Sequence, residues 1–208
     1  EGSSFNAPVG FFIPGSESAS DAGMDAVRHR PSDAEIKAML DEAGYRGQPL
    51  AVMHPTDQTF YDAATQVVIA AFRRVGITVD DQATDWGTVT QRRASKEPPS
   101  KGGWSAFPSG QPAGDYINPA FAAIIRGNGA TAWFGWPTDP EIETLRDAWI
   151  DATNPAERTR LAETVQRRCF ETVPFIPLGQ YFQSSAWRAS LGTPQKGICP
   201  VFWNVGQA

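Results

Sequence analysis

Histidine and cysteine are scarce in this chain of 208 residues: two of each. That scarcity excludes most metal chemistry. There is no H-E-x-x-H, no C-x-x-C, and no cluster of His, Cys and acidic residues at ligand spacing. A G-x-S-x-G elbow and a P-loop are also missing, and "GNGATA" (127–132) follows no strand, so it is not read as a dinucleotide turn. Long apolar runs are lacking, and none approaches the roughly 20 residues of a membrane-spanning helix. Basic runs are lacking too. The net charge is −5, the cations are mostly scattered Arg, and nucleic acid or an anionic membrane is a poor partner. No catalytic residue, cofactor or metal is expected.

What is present is aromatic and irregular. Seven Trp, twelve Phe and four Tyr accompany 19 Gly and 17 Pro. Many of them fall in "GGWSAFPSGQPAGDYINP" (102–119), which holds one carboxylate, Asp115. A second aromatic loop, "GNGATAWFGWP", covers 127–137. Large aromatic side chains build ligand walls as well as cores.

Around these loops the elements are regular. Ser32 and Glu35 form a capping box, with Ile36, Met39, Leu40 and Ala43 at helical spacing and Gly44 as the stop. "PLAVMH" (49–54) reads as a buried strand. Residues 57–75 read as a helix ended by Gly76, and "ITVDDQA" (77–83) as a second strand. Strand, helix and strand with short joints predict a βαβ unit with parallel strands and a right-handed crossover. A short helix is expected over 85–95 and a loose connector over 96–103. Asn118-Pro119 predicts a short helix through Arg126. Asp139-Pro140 and Asn154-Pro155 open two more helices. The first carries Ile142, Leu145, Ala148 and Trp149 on one side, and the second turns Leu161, Val165 and Cys169 inward. Glu141 and Glu143 read as a solvated face, and His54 as a polar strand-end residue. Residues 173–187 and 198–205 read as extended. Cys169 and Cys199 admit either two thiols or one disulfide.

In this order the pieces resemble the C-terminal part of the extracellular solute-binding proteins of family 5, the oligopeptide, dipeptide and nickel-chelate binding components of ABC importers. The carrying residues are "PSDAEIKAMLDEAGY" (31–45), "GQPLAV", "AAFRRVGITVD" (70–80), "GW" (103–104) before "GDYINPAF" (114–121), and "ETVPFIPLGQYFQSSAWR" (171–188). The resemblance implies an α/β lobe of the periplasmic-binding-protein type II, three-layered, with a mixed sheet containing the βαβ unit flanked by helices. It implies one ligand-binding lobe over 1–208, in which 1–30 and 181–208 are peripheral segments facing an N-terminal lobe outside this chain. The opening "EGSSFNAP" suggests a processed protein or a piece of a longer one.

The implied function is capture of a peptide or small polar solute between two lobes, in the periplasm, for delivery to a membrane permease. In peptide-binding members an Asp in a D-Y-x-x-P-like context pairs with the ligand's α-amino group. "GDYINP" places Asp115 there, with Tyr116 beside it. The competing role for Asp115 is a helix cap, for which Asn118 is better placed. Trp104 is placed at the cleft by the resemblance. Phe107, Trp133 and Trp136 are further candidates, with Trp133, Phe134 and Trp136 open to either the cleft or their own lobe's core. This sequence departs from several members in the ten residues between Trp104 and Asp115. Two alternatives stand beside this reading. One is a hydrolase using Asp115 with a second carboxylate about 5–9 Å away. The other is a sensory or chaperone-like binding module.

Overall fold

The computed structural model describes residues 5–184, 186–192, 195, 201, 203 and 206. The fold is α/β, and the chain divides into two compact units, residues 30–110 and residues 1–29 with 111–208.

The unit of residues 30–110 is built on the βαβ motif. Its first helix, Asp33–Glu42, starts with the capping box anticipated from Ser32 and Glu35: each side chain takes the other's backbone N–H. The strand Leu50–Pro55 is buried from Ala51 onward. A near-continuous apolar run of this kind fits a strand covered on both faces. The helix Thr59–Arg74 follows, and Gly76 in the left-handed region turns the chain back. The strand Val79–Thr84 then pairs in parallel with Leu50–Pro55, Leu50 opposite Val79 through Pro55 opposite Thr84. A short helix, Trp86–Arg92, is capped by Asp85, whose carboxylate accepts the Thr88 N–H. The connector ends in a 3-10 turn, Pro99–Lys101, with Gly102 left-handed. The chain then returns alongside Leu50–Pro55. The Ser105 N–H donates to the Ala51 carbonyl at 2.8 Å, and Met53 N–H to the Ala106 carbonyl at 3.0 Å.

The unit of residues 1–29 and 111–208 is mainly helical. Asp139 caps Pro140–Asp151, accepting from the N–H groups of Glu141 and Ile142. Asn154 caps Pro155–Thr172 in the same way. The two helices pack through Ile142, Trp149, Leu161, Ala162, Val165 and Cys169, all buried. Phe11 and Phe12 join this core at 1% and 2% exposure. Phe11 meets Phe170 and Phe175 edge-on at 4.9 and 4.8 Å. The expected peripheral place of residues 1–30 therefore does not hold for Phe11 and Phe12. The segment lacks periodicity because it is irregular, and its apolar side chains are still taken into the core. Farther along, a four-residue helix spans Asp25–Arg28. A two-stranded antiparallel sheet joins Phe5–Asn6 to Gln180–Tyr181.

Three local expectations are corrected. Residues 118–126 do not form one helix. The Asn118 carboxamide accepts from the N–H groups of Ala120 and Phe121, closing a turn, and only Ala123–Ile125 is helical, as a 3-10 turn. Asn-Pro signals an Asx turn as well as an N-cap, and the turn forms. Glu143 is not on a solvated face: it binds Arg126 and accepts the Gly127 N–H at 2.9 Å. His54 is not an edge residue but is buried. Cys169 is a buried thiol, whereas Cys199 and most of 198–205 lie outside the described residues.

Candidate functional site

Among the described residues the strands in chain order are β1 (Phe5–Asn6), β2 (Leu50–Pro55), β3 (Val79–Thr84) and β4 (Gln180–Tyr181). The helices are α1 (Asp25–Arg28), α2 (Asp33–Glu42), α3 (Thr59–Arg74), α4 (Trp86–Arg92), α5 (Pro140–Asp151) and α6 (Pro155–Thr172).

Two of the six candidate residues come together in the unit of residues 30–110. Trp104 and Phe107 meet edge-to-face, ring centroids 4.7 Å apart. The Trp104 indole N–H donates to the Arg93 carbonyl at the end of α4 at 3.2 Å. Ser105 and Ala106 are pinned to β2, so the pair rests on the central strand of its unit. Gly103 is required for this path. A Cβ there would fall 1.7 Å from the Glu97 carbonyl oxygen.

In the other unit, Asp115 and Trp133 line a cavity of about 170 Å³ together with Gln111, Phe121, Ala123 and Ile124. Asp115 sits in the 3-10 turn Ala113–Tyr116 and is exposed. Among the described residues lining the cavity it is the only acid. The turn that follows is closed by Asn118, which accepts the Ala120 and Phe121 N–H groups. Tyr116 turns its ring onto Phe175 at 5.9 Å, and its carbonyl accepts the Ile13 N–H at 3.0 Å. It packs on its own unit.

Trp136 does not line this cavity. Its backbone is left-handed, with φ of 50°, and its N–H donates to the Trp133 carbonyl at 2.8 Å. The turn it closes fixes where Trp133 leaves the chain. The Trp133 and Phe134 rings meet edge-to-face at 5.0 Å.

Sequence reasoning missed Gln111, Phe121, Ala123 and Ile124. Phe121, Ala123 and Ile124 reach the cavity because residues 119–125 turn rather than continue as a helix. Phe121 is exposed, 62% accessible, beside a buried Pro119. Arg146 was also missed. It is 5% exposed on α5, and its guanidinium donates to the carbonyls of Pro119 and Ala120 at 2.8 and 3.2 Å. It holds the turn that follows Asp115. Burial lowers the Arg146 pKa against the opposing pull of Glu143.

A second cavity of about 150 Å³ lies by Arg168 and Asp139. Arg168 binds Asp139 there at 2.9 Å and also contacts Glu141 and Glu171 at 3.4 Å. Its charge is matched from within the chain. Among the described residues, no group of His, Cys and acidic side chains could hold a metal ion, and no helix is long and apolar enough to cross a membrane.

No family model matches the chain. A probable peptide ABC transporter periplasmic-binding protein of Sinorhizobium fredii is 33% identical over 174 residues, which is 84% of this chain and 33% of that protein. The curated relatives are peptide ABC periplasmic-binding proteins, and the structural neighbours are family 5 solute-binding proteins. Di/tripeptide-binding protein 4 of Pseudomonas aeruginosa is 29% identical over 161 residues, 74% of this chain and 29% of its own length. Among solved structures, the ABC transporter substrate-binding protein CtaP of Listeria monocytogenes superposes with a TM-score of 0.70 over 85% of this chain and 35% of CtaP. At 14% identity it shows the shared fold alone. The chain spans about a third of the length of the curated relatives it matches. Those family 5 relatives are binding proteins by description rather than enzymes.

Proposed function

We propose that this chain supplies one lobe of a periplasmic protein that captures a peptide or similar small polar solute and passes it to an ABC permease. The observation that carries this reading is its sequence identity, along most of its length, with the binding protein of a peptide transporter. The 115–133 cavity adds support. A ligand enclosed between lobes loses its water, so a charged end needs an opposite charge or oriented hydrogen bonds. Asp115 offers the charge for an α-amino group, and Phe121, Ile124 and Trp133 offer apolar walls. At about 170 Å³ the cavity is below the roughly 300–1,000 Å³ of a complete ligand pocket. It suits one end group of a ligand whose remainder is held elsewhere. Trp104 and Phe107 are proposed as an apolar contact on their own unit, with Tyr116 and Trp136 shaping the loops around the cavity.

The reading requires no reaction. Glycosidase-type hydrolysis needs two carboxyls about 5–9 Å apart, and the cavity lining holds Asp115 alone. Binding would instead favour the closed arrangement of two lobes, and the closed form would dock on the permease.

The test is an amide-shift titration of the isotopically labelled chain with a short peptide and with its N-acetylated twin. Shifts at 111–124 and 133 are expected with the free peptide and not with the acetylated one, at roughly millimolar affinity. Shifts indifferent to acetylation would remove Asp115 from the role. Tight binding by this chain alone would overturn the one-lobe reading.

A further inference from the structure

The Arg168 cavity and the buried histidine of β2 both lie outside the proposed function, and only the histidine is held in a way that demands an explanation. His54 is 5% exposed, and both its ring nitrogens face carboxylates. Nδ1 lies 2.9 Å from an oxygen of Asp81 on β3. Nε2 lies 2.7 Å from an oxygen of Asp62 on α3. A neutral imidazole has one N–H and one lone pair, and an ionised carboxylate only accepts. The neutral ring would therefore point a lone pair at one of the two oxygens. Only the imidazolium donates at both.

We propose that Asp62, His54 and Asp81 form a pH-sensitive brace of the βαβ unit, in which a doubly donating imidazolium ties α3 and β3 to β2 and releases one of them when it loses its proton. The release has a route. The Asp62 and Asp81 side chains are 31% and 33% exposed, so either can turn to water. The other charges on the elements packed around β2 are engaged elsewhere. Asp80 of β3 accepts from Gln82. Arg92 of α4 donates to Gln82 and to the Gly102 and Gly103 carbonyls. Arg74 of α3 reaches Asp33. Arg73 of α3 and Arg93 at the end of α4 enter neither bond of the ring.

Burial works against the charge on His54. The hydrogen bonds and charges of Asp81 and Asp62 outweigh it, so the pKa is raised above its ordinary value. The Asp62 carboxyl is lowered, first by its bond from Gln66 and then by His54. A raised native pKa means that the brace is complete below the unfolded value of about 6.5 and is lost as pH rises through the native one. Alkali, not acid, should loosen this unit.

The chain suits a direct test because it holds only two histidines, and His29 is exposed. Nitrogen-detected NMR of the imidazoles in the intact chain should find both nitrogens of His54 protonated at about pH 6 and its titration midpoint above the unfolded value of about 6.5. Amide protection factors along 50–55, 59–66 and 79–84 should fall as His54 titrates. Asp62→Asn and Asp81→Asn should each lower the His54 midpoint. Each unit by which the native value exceeds the unfolded one makes about a tenfold difference in unfolding constant between low and high pH. A neutral tautomer at about pH 6, a midpoint at or below about 6.5, or protection indifferent to the titration would overturn the proposal. The wild-type spectra decide it even where a variant fails to fold.

Discussion

The Arg146 guanidinium, buried on α5, donates to the carbonyl oxygen of Pro119 at 2.8 Å, twenty-seven residues earlier in the chain. That bond fixes the turn between Asp115 and the cavity residues Phe121 to Ile124. Replacing Arg146 by Ala leaves the buried Pro119 carbonyl and the part-buried Ala120 carbonyl without this donor. The expected loss is about 1.5–3 kcal/mol, read as a lower urea midpoint with unchanged slope. Arg146→Lys should recover only part of it, because one ammonium cannot copy the guanidinium fork. An unchanged midpoint for Arg146→Ala would show that the turn stands without it.

Gly103 decides where Trp104 goes. Its Cβ position coincides with the Glu97 carbonyl, which is backbone and cannot swing aside. Gly103→Ala should cost at least the roughly 1–3 kcal/mol of overpacking and break the Trp104 bond to Arg93. Gly44→Ala is the control. Space there is open, but φ is +82°, so only the left-handed strain of about 1–2 kcal/mol applies. Thermal melts of both variants, followed by tryptophan emission, separate the two causes: Gly103→Ala should alter the native emission and Gly44→Ala should not.

How legible all this was in the sequence depended on whether a residue's partner lay nearby. Ser32 with Glu35, Asp85 with Thr88, and Asn154 with Ala156 are local pairs, and the helices they begin could be read directly. The βαβ order was legible for the same reason, since period and turn residues are local signals. Arg146 and Gln166 carried no signal and His54 read as a polar strand-end residue, because their partners sit 8 to 155 positions away. Phe11 and Phe12 were missed because an irregular segment has no period to betray its buried side. Of the candidate site, the individual aromatic residues and Asp115 stood out. Their grouping, Trp104 with Phe107 and Asp115 with Trp133, comes from tertiary turns that no spacing rule encodes.

Gln166 anchors the chain's first segment to α6. Fully buried, it donates to the Ser20 and Ala22 carbonyls at 2.9 and 2.8 Å and accepts the Phe11 N–H at 3.3 Å. Gln166→Leu should lose about 1–3 kcal/mol from the groups left unpaired. Gly10→Ala attacks the same joint from the other side, its Cβ falling 2.4 Å from the Gln166 carboxamide oxygen. Its cost should shrink when made in a Gln166→Ala background. A double-mutant cycle that closes with simple additivity would contradict this.

Cys169 should be chemically silent in the folded chain. It is fully buried, and burial, helped by Asp139, pushes its thiol up to about 12. At about pH 8 roughly one molecule in ten thousand would carry the thiolate, the reactive form. In a Cys199→Ser background, iodoacetamide should leave the native protein unmodified for hours and label it at once in urea. Labelling of the native protein at the rate of an exposed thiol would mean that the α5–α6 packing opens.

Asp139 makes the acid side of the stability curve testable. It caps α5 and binds Arg168 on α6 while 6% exposed. Burial alone would raise its pKa. The Arg168 bond and the Ile142 and Glu141 N–H groups reverse that and hold it below the ordinary value. A depressed native pKa means that the contribution is whole above the unfolded value of about 3.9 and is lost as pH falls through the native one. Asp139→Asn keeps a capping oxygen but cannot carry the charge that Arg168 meets. The variant should be less stable than the wild type at neutral pH, and the gap should begin to close below about 4 and vanish as the pH falls through the lowered native value, where the wild-type carboxyl is itself protonated. Urea midpoints across that range give the answer. A gap that stays constant down to acid would assign the loss to the cap and not to the ion pair with Arg168.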